Sequence, residues 1–119
     1  MNDIQIHDLK TADKEILKEI FKINESYNPF LGPLKTLDNL IELIQRSNYS
    51  IFLTNKKQIC AFLVCFRENS KYQSKNYKFF KKRFNRFFYI DRIGVVKGFK
   101  NKGLGTCLLY TSDAADEAD

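Results

Sequence analysis

The alternation of apolar and polar residues predicts a strand and two amphipathic helices in the first half of the chain. Residues 4–6 alternate and predict a short first strand. Apolar residues recur at helical spacing over 16–23, behind Thr11 as the expected N-cap, and predict a first helix. A second helix is expected to begin near Thr36 and to end near Ser47.

The second half of the chain is richer in β-branched and aromatic runs. Tyr49–Thr54 and Gln58–Phe66 flank three polar residues and predict an antiparallel hairpin. Aromatic residues at helical spacing over 77–84 favour a further helix, and residues 87–96 predict a mostly buried strand. A last helix is expected to start at Gly103. This order of strands and helices predicts an α/β fold with a mixed sheet.

Composition narrows the class of protein. The chain has 119 residues, of which 44% are hydrophobic, and a formal net charge of +6, which fits one domain with its own core. It has no apolar run of membrane-spanning length and no signal-peptide pattern at its start, so we expect a cytoplasmic protein without a membrane partner. Its single histidine and the cysteines Cys60 and Cys65 cannot form an ordinary structural zinc site, so no metal is expected. We expect the two cysteines to be small buried side chains on opposite faces of a strand.

The composition changes abruptly at Cys107. Residues 107–119 contain three alanines, four acidic residues and no basic residue, whereas residues 1–106 contain only two alanines. Residues 107–117 back-translate, in one frame, to a string that resembles a transposase-type sequencing adapter. The alternative is an ordinary acidic tail. We therefore expect a partial domain over 1–106 and a non-native tail over 107–119, with the natural protein continuing beyond Thr106.

The junction after the predicted strand at 87–96 is suited to a phosphate group. Lys100 precedes Gly103 and Gly105 in a K-x-x-G-x-G pattern. Glycines let backbone amides approach a ligand closely, and the amino end of a helix attracts anions. An ordinary glycine-containing loop would show the same short pattern.

The wider segment carries a resemblance to a known family. Val95, Phe99 and the K-x-x-G-x-G loop resemble the coenzyme-binding motif of the GNAT (GCN5-related) N-acetyltransferases, R/Q-x-x-G-x-G/A. Residues 72–80 and 87–96 resemble the "YDSPNYRWF" and "FLYVDRIVV" segments of a bacterial branch of predicted acetyltransferases. Lys100 departs from the usual Arg or Gln. The resemblance implies the N-terminal half of the acyl-CoA N-acyltransferase fold, in the order β-α-α-β-β-(α)-β-α.

The resemblance implies transfer of an acetyl group from acetyl-CoA to a primary amine on a small molecule or a peptide. It places the pantetheine arm along the main chain of Ile93, Gly94 and Val95, with an N–H near Val95 stabilising the oxyanion. Gly94 fits a β-bulge or close approach of a backbone; the alternative is a glycine required only for packing. The diphosphate would lie on the amides of Lys100, Asn101, Lys102, Gly103, Leu104, Gly105 and Thr106.

Catalytic candidates lie on the same strand. Asp91 is its carboxylate, and Tyr89 occupies the position where histone-type family members have their glutamate. Strand alternation would group Tyr89 and Asp91 with Ile93 and Val95, and Arg92 with Ile90 and Gly94. Asp91 could equally be paired with Arg92 or with a lysine.

On the acceptor side, the resemblance points to Asn24, Glu25 and the loop at residues 29–34. The amine itself stays open among amino acids, polyamines, antibiotics and protein N-termini. A homodimer of the full-length protein is also left open. Because the fifth strand and fourth helix of the family fold would follow Thr106, we expect this chain to bind acetyl-CoA weakly and to turn over little.

An alternative function is suggested by residues 71–88. Seven basic residues there are interspersed with tyrosines and phenylalanines, a combination typical of proteins that bind single-stranded nucleic acids. The interpretation that we favour is a helix with an aromatic core stripe and a solvated basic face.

Overall fold

Four antiparallel strands and two helices form the part of the chain described by the computed structural model, which covers residues 3–26, 32–67, 77–78, 82, 88–99, 103 and 108. The sheet order is β1-β2-β3-β4, and every neighbouring pair is antiparallel. The predicted α/β class is confirmed, and the described strands pair antiparallel throughout where a mixed sheet was expected. In chain order the elements are β1 (Ile4–Asp8), α1 (Lys14–Ser26), α2 (Leu37–Arg46), β2 (Tyr49–Asn55), β3 (Gln58–Arg67) and β4 (Phe88–Val95).

The helix boundaries follow from side-chain caps. The Thr36 hydroxyl accepts a hydrogen bond from the Asn39 amide at 3.1 Å, which confirms the predicted start of α2. The prediction of Thr11 as the cap of α1 is wrong. The Asp13 carboxylate takes that role, because it accepts a hydrogen bond at 3.0 Å from the amide of Ile16, three residues further along the chain. An aspartate at this position satisfies an orphan amide and also complements the positive end of the helix dipole.

The predicted hairpin is confirmed to within one residue at each end. Lys56 and Lys57 form its two-residue turn, with φ of 52° and 69°. Positive φ at both central residues gives the turn a twist that matches the right-handed twist of the strands. The hairpin supplies the two central strands of the sheet.

Each face of the sheet has its own apolar cluster. The helix-covered face packs against α1 and α2, and the opposite face is packed by residues outside the two helices, including Leu108. The helix-covered cluster includes Ile20, Leu40, Ile44, Phe52, Phe62, Val64 and Phe66. The opposite-face cluster includes Ile51, Leu53, Cys60, Ala61, Leu63, Cys65 and Leu108.

A β-bulge in β3 changes the expected placement of the cysteines. Leu53 pairs with Ala61 and Thr54 with Ile59, so Cys60 is an extra residue. Cys60 and Cys65 therefore pack in the same cluster, and the prediction that they lie on opposite faces is wrong. Both are buried free thiols, as expected. Burial, with the nearby charge of Asp91, raises the pKa of Cys65 to about 12, so this thiol stays protonated and unreactive.

Replacing Ser50 by alanine is expected to stabilise the protein by about 1 kcal/mol, because a buried unpaired hydroxyl costs free energy. Ser50 is only 3% exposed, and its hydroxyl has no hydrogen-bond partner among the described groups. Urea denaturation measures the change. Thr54→Val is the matched control, since the Thr54 hydroxyl is bonded to His7 Nε2 at 2.9 Å and its loss should destabilise. A Ser50→Ala variant as destabilised as Thr54→Val would contradict the prediction.

Candidate functional site

A second β-bulge lies in the middle of β4. Val64 pairs with Arg92 and Cys65 with Ile90, so Asp91 is the extra residue. One extra residue reverses the alternation beyond it. The predicted grouping of β4 side chains is therefore wrong: Tyr89 packs with the helix-covered cluster, whereas Ile90, Ile93 and Val95 pack with the opposite-face cluster.

Arg92 is the centre of a polar network between β4 and the end of α1. Its Nε donates to Asp91 Oδ2 at 3.0 Å, and its Nη1 donates to Asn24 Oδ1 at 2.9 Å and to the carbonyl of Gly32. The side chains of Arg92 and Asp91 are only 11% and 7% exposed. The pairing of Asp91 with Arg92, one of the two expected alternatives, is present. Charged side chains that are this deeply buried require hydrogen-bonding or oppositely charged partners.

Glu25 continues the network on the other side of Asn24. Its carboxylate accepts from the Leu34 amide at 3.2 Å, from the Lys35 amide at 3.0 Å and from Asn24 Nδ2 at 2.7 Å. Desolvation acts to raise the pKa of Glu25, but these three hydrogen bonds and the attraction of Arg92 outweigh it, and the pKa is lowered. The structure thus links both predicted acceptor-side residues, Asn24 and Glu25, to the strand that carries Asp91.

The pKa shift of Glu25 predicts a pH dependence of stability. Because its pKa is lower in the folded protein than the ordinary 4.5, the ionised carboxylate stabilises the fold above that pH and the contribution is lost as pH falls through the folded pKa. We expect wild type to be more stable than Glu25→Gln near neutral pH, with the difference shrinking below pH 4.5. Urea midpoints measured across this range check it. A constant difference between the two proteins would contradict the prediction.

The other two β4 candidates, Tyr89 and Gly94, lie against aromatic rings. The ring of Tyr89 lies edge-on to Tyr77 at 5.8 Å between centroids and is partly buried. A Cβ on Gly94 would lie 2.6 Å from Cε1 of Phe62. The bulge expected at Gly94 therefore lies at Asp91 instead, and Gly94 makes room for the ring of Phe62. The two catalytic candidates therefore have different surroundings. Asp91 is paired with Arg92 at the bulge, whereas Tyr89 packs against the ring of Tyr77.

One member of the predicted diphosphate loop is among the described residues. Gly103 lies in an exposed turn with φ of 78°, a conformation that favours glycine. Leu108 is helical and buried in the opposite-face cluster. The remaining predicted loop residues lie outside the described residues: Lys100, Asn101, Lys102, Leu104, Gly105 and Thr106.

The basic and aromatic run at 71–88 is described only at a few positions. Tyr77 is fully buried, its hydroxyl donates to the carbonyl of Arg67, and its ring packs on Phe66. The ring of Tyr77 therefore packs in the core, whereas Lys78 and Lys82 are exposed. These positions fit the favoured interpretation of a helix with an aromatic core stripe and a solvated basic face. The phenylalanines at 79, 80, 84 and 87 lie outside the described residues.

The described residues contain neither a metal-binding cluster nor a membrane-spanning helix. No cluster of three or more histidine, cysteine, aspartate or glutamate side chains could hold a metal ion there. Nor does the described part of the chain contain a helix long and apolar enough to span a bilayer.

Sequence reasoning missed the links from Arg92 to Asn24 and Gly32. The available signal was the pair of adjacent charges, Asp91 and Arg92, inside an otherwise apolar strand. Such a pair calls for partners from another element, but the sequence does not show which element supplies them. The contact joins residues 68 positions apart.

Comparison with known proteins supports the fold. No family model and no curated protein matches the chain. Ten solved chains match it. One of them is a possible acetyltransferase from Clostridium difficile 630, with a TM-score of 0.65 and 19% sequence identity, over 98% of this chain and 72% of that chain. At this identity the likeness shows a shared fold, which agrees with the α/β fold predicted from the sequence.

Proposed function

We propose that the chain is a GNAT-type N-acetyltransferase that transfers an acetyl group from acetyl-CoA to a primary amine. The observation that carries the proposal is the fold shared with a possible acetyltransferase over 98% of this chain. The motif resemblance at residues 95–105 supports it independently, because it rests on sequence and not on shape. Tyr77, buried in the core, gives no support to the nucleic-acid alternative.

The proposed reaction is an acyl transfer. The neutral amine attacks the thioester carbonyl carbon, a C–N bond forms, the C–S bond breaks, the thiolate of coenzyme A leaves and the amine loses a proton. The main chain of Ile93, Gly94 and Val95 would run along the pantetheine arm. An N–H near Val95 would stabilise the oxyanion, and the loop around Gly103 would bind the diphosphate.

Two groups on β4 are proposed for proton transfer. Asp91 is the first, and Arg92 holds its Oδ2 at 3.0 Å, which fixes the direction of the carboxylate. Tyr89 is the second, with its ring packed edge-on to Tyr77. A general base must reach the amine directly or through one water. Asp91, located at a bulge that re-aims side chains, is the stronger candidate.

We also propose that residues 107–119 do not belong to the acetyltransferase domain. Leu108 is buried in the opposite-face cluster. Its burial shows that this position accommodates an apolar side chain, and it does not show that the residue is native. Resequencing of the genomic locus across codon 106 tests this proposal. An uninterrupted genomic reading frame that encodes Cys107–Asp119 would overturn it.

The activity is tested by incubating the protein with acetyl-CoA and a panel of amines: free amino acids, spermidine, an aminoglycoside and a peptide with a free N-terminus. Mass spectrometry of the amines is the measurement, since it is not confounded by the protein's own thiols. We expect slow acetylation of at least one class, and faster acetylation by the product of the genomic reading frame. Coenzyme A with free acetate is the control. Absence of any acetylated amine with both proteins would overturn the proposal.

A further inference from the structure

The segment between α1 and α2 is held at two separate points. Glu25 binds its far end, at the amides of Leu34 and Lys35. Arg92 binds the carbonyl of Gly32 within this segment, and it also binds Asn24 near the end of α1. The Arg92 side chain thus joins β4 both to α1 and to the residues that precede α2.

The planar guanidinium group of Arg92 makes these connections between β4, α1 and Gly32 possible. Three donors of one rigid side chain serve Asp91 on its own strand, Asn24 on α1 and the Gly32 carbonyl in the segment after α1. An ammonium group offers donors from a single point and cannot span the same partners with fixed geometry. The bulge at Asp91 contributes, because it lets two adjacent residues of one strand pair with each other.

We infer that Arg92 is a positioning residue, which fixes the acceptor-side segment 32–35 against the strand that binds acetyl-CoA. This inference rests on the proposed function, in which residues 32–35 lie on the acceptor side and β4 binds acetyl-CoA. It assigns binding of the amine, and not binding of the coenzyme, to the Arg92 network. Arg92 acts through Gly32 and Asn24 and needs no contact with either substrate.

The backbone order of Gly32 tests the inference without any substrate. In wild type, the ¹⁵N order parameter of Gly32 is expected near 0.85, roughly that of rigid backbone, and in Arg92→Lys it is expected below about 0.6. Arg92→Lys keeps a positive charge beside Asp91, so it is the variant most compatible with folding. Asn24→Ala removes the hydrogen bond between Arg92 and α1 and leaves Asp91 and Arg92 paired. It should also lower the order parameter of Gly32.

Glu25→Ala is the matched control, because it removes both acceptor oxygens of the other attachment point. It should raise the mobility of Leu34 and Lys35 and leave Gly32 ordered. Unchanged order of Gly32 in both Arg92→Lys and Asn24→Ala would overturn the inference. A uniform loss of order that includes the core strands β2 and β3 would overturn it too, since Arg92 would then only support the fold.

The kinetic readout separates the two substrates. With spermidine or whichever amine of the panel wild type acetylates fastest, Arg92→Lys should raise KM for the amine about fivefold or more and change KM for acetyl-CoA by less than about twofold. Equal increases in both constants would overturn the inference while leaving the proposed function intact. If no amine is acetylated, the proposed function fails, and the order of Gly32 alone decides whether Arg92 positions the segment.

Discussion

Gly94→Ala is expected to destabilise the protein by roughly 2–3 kcal/mol, the upper range for overpacking a core. The added Cβ would lie 2.6 Å from Cε1 of Phe62, and Phe62 is fully buried. Its ring lies between the sheet and the two helices, so it cannot move away without disturbing the helix-covered cluster. Urea denaturation of wild type and variant measures the difference in the free energy of unfolding.

Phe62→Leu supplies the control for this prediction, because a leucine lacks the ring atoms that meet the new Cβ. Gly94→Ala should cost less in the Phe62→Leu background than in wild type, with a coupling of about 1 kcal/mol or more. Additive effects would show that the clash does not set the requirement for glycine. Gly94 would then be needed for some other property of β4.

Gly103→Val is expected to weaken acetyl-CoA binding more than about tenfold, a loss of about 1.4 kcal/mol. Gly103 has φ of 78°, where a β-branched residue is strained, and it lies in the proposed diphosphate loop. A valine would therefore shift the loop backbone and also place a side chain beside the amides that the diphosphate needs. Binding is measured by NMR titration with acetyl-CoA, which detects weak affinities.

The chain offers a matched control at Gly98. It is also an exposed glycine with positive φ, 98°, and a Cβ there would meet no atom within 4 Å. Gly98→Val introduces a similar backbone strain outside the proposed loop, so it should change acetyl-CoA affinity by less than about threefold. Equal losses in the two variants would mean that strain after β4, and not contact with the diphosphate, weakens binding.

The elements of this fold were predictable because their signals are local. The hairpin follows from two apolar runs and a short polar turn, and Thr36 caps α2 through a contact three residues away. Both bulges were missed at their true positions. A bulge at Cys60 or Asp91 depends on how two strands fit together, and nothing in the period of one strand reports it.

The candidate site was predictable only in part for the same reason. Asn24, Glu25 and Asp91 were singled out separately, by position in a family pattern or by charge in an apolar strand. Their connection depends on Arg92, which reaches across 68 positions to Asn24. Tertiary hydrogen bonds of this range leave no periodic trace in the sequence, so the network could be found only from the folded structure.

The proposed function depends most directly on where acetyl-CoA binds, and an NMR titration of the ¹⁵N-labelled protein into the millimolar range measures it. We predict saturable shifts of the amide resonances of Ile93, Gly94, Val95 and Gly103, with those of β1 unchanged. Shifts centred on β1 and β2, or unchanged resonances along β4 and at Gly103 throughout the titration, would contradict it.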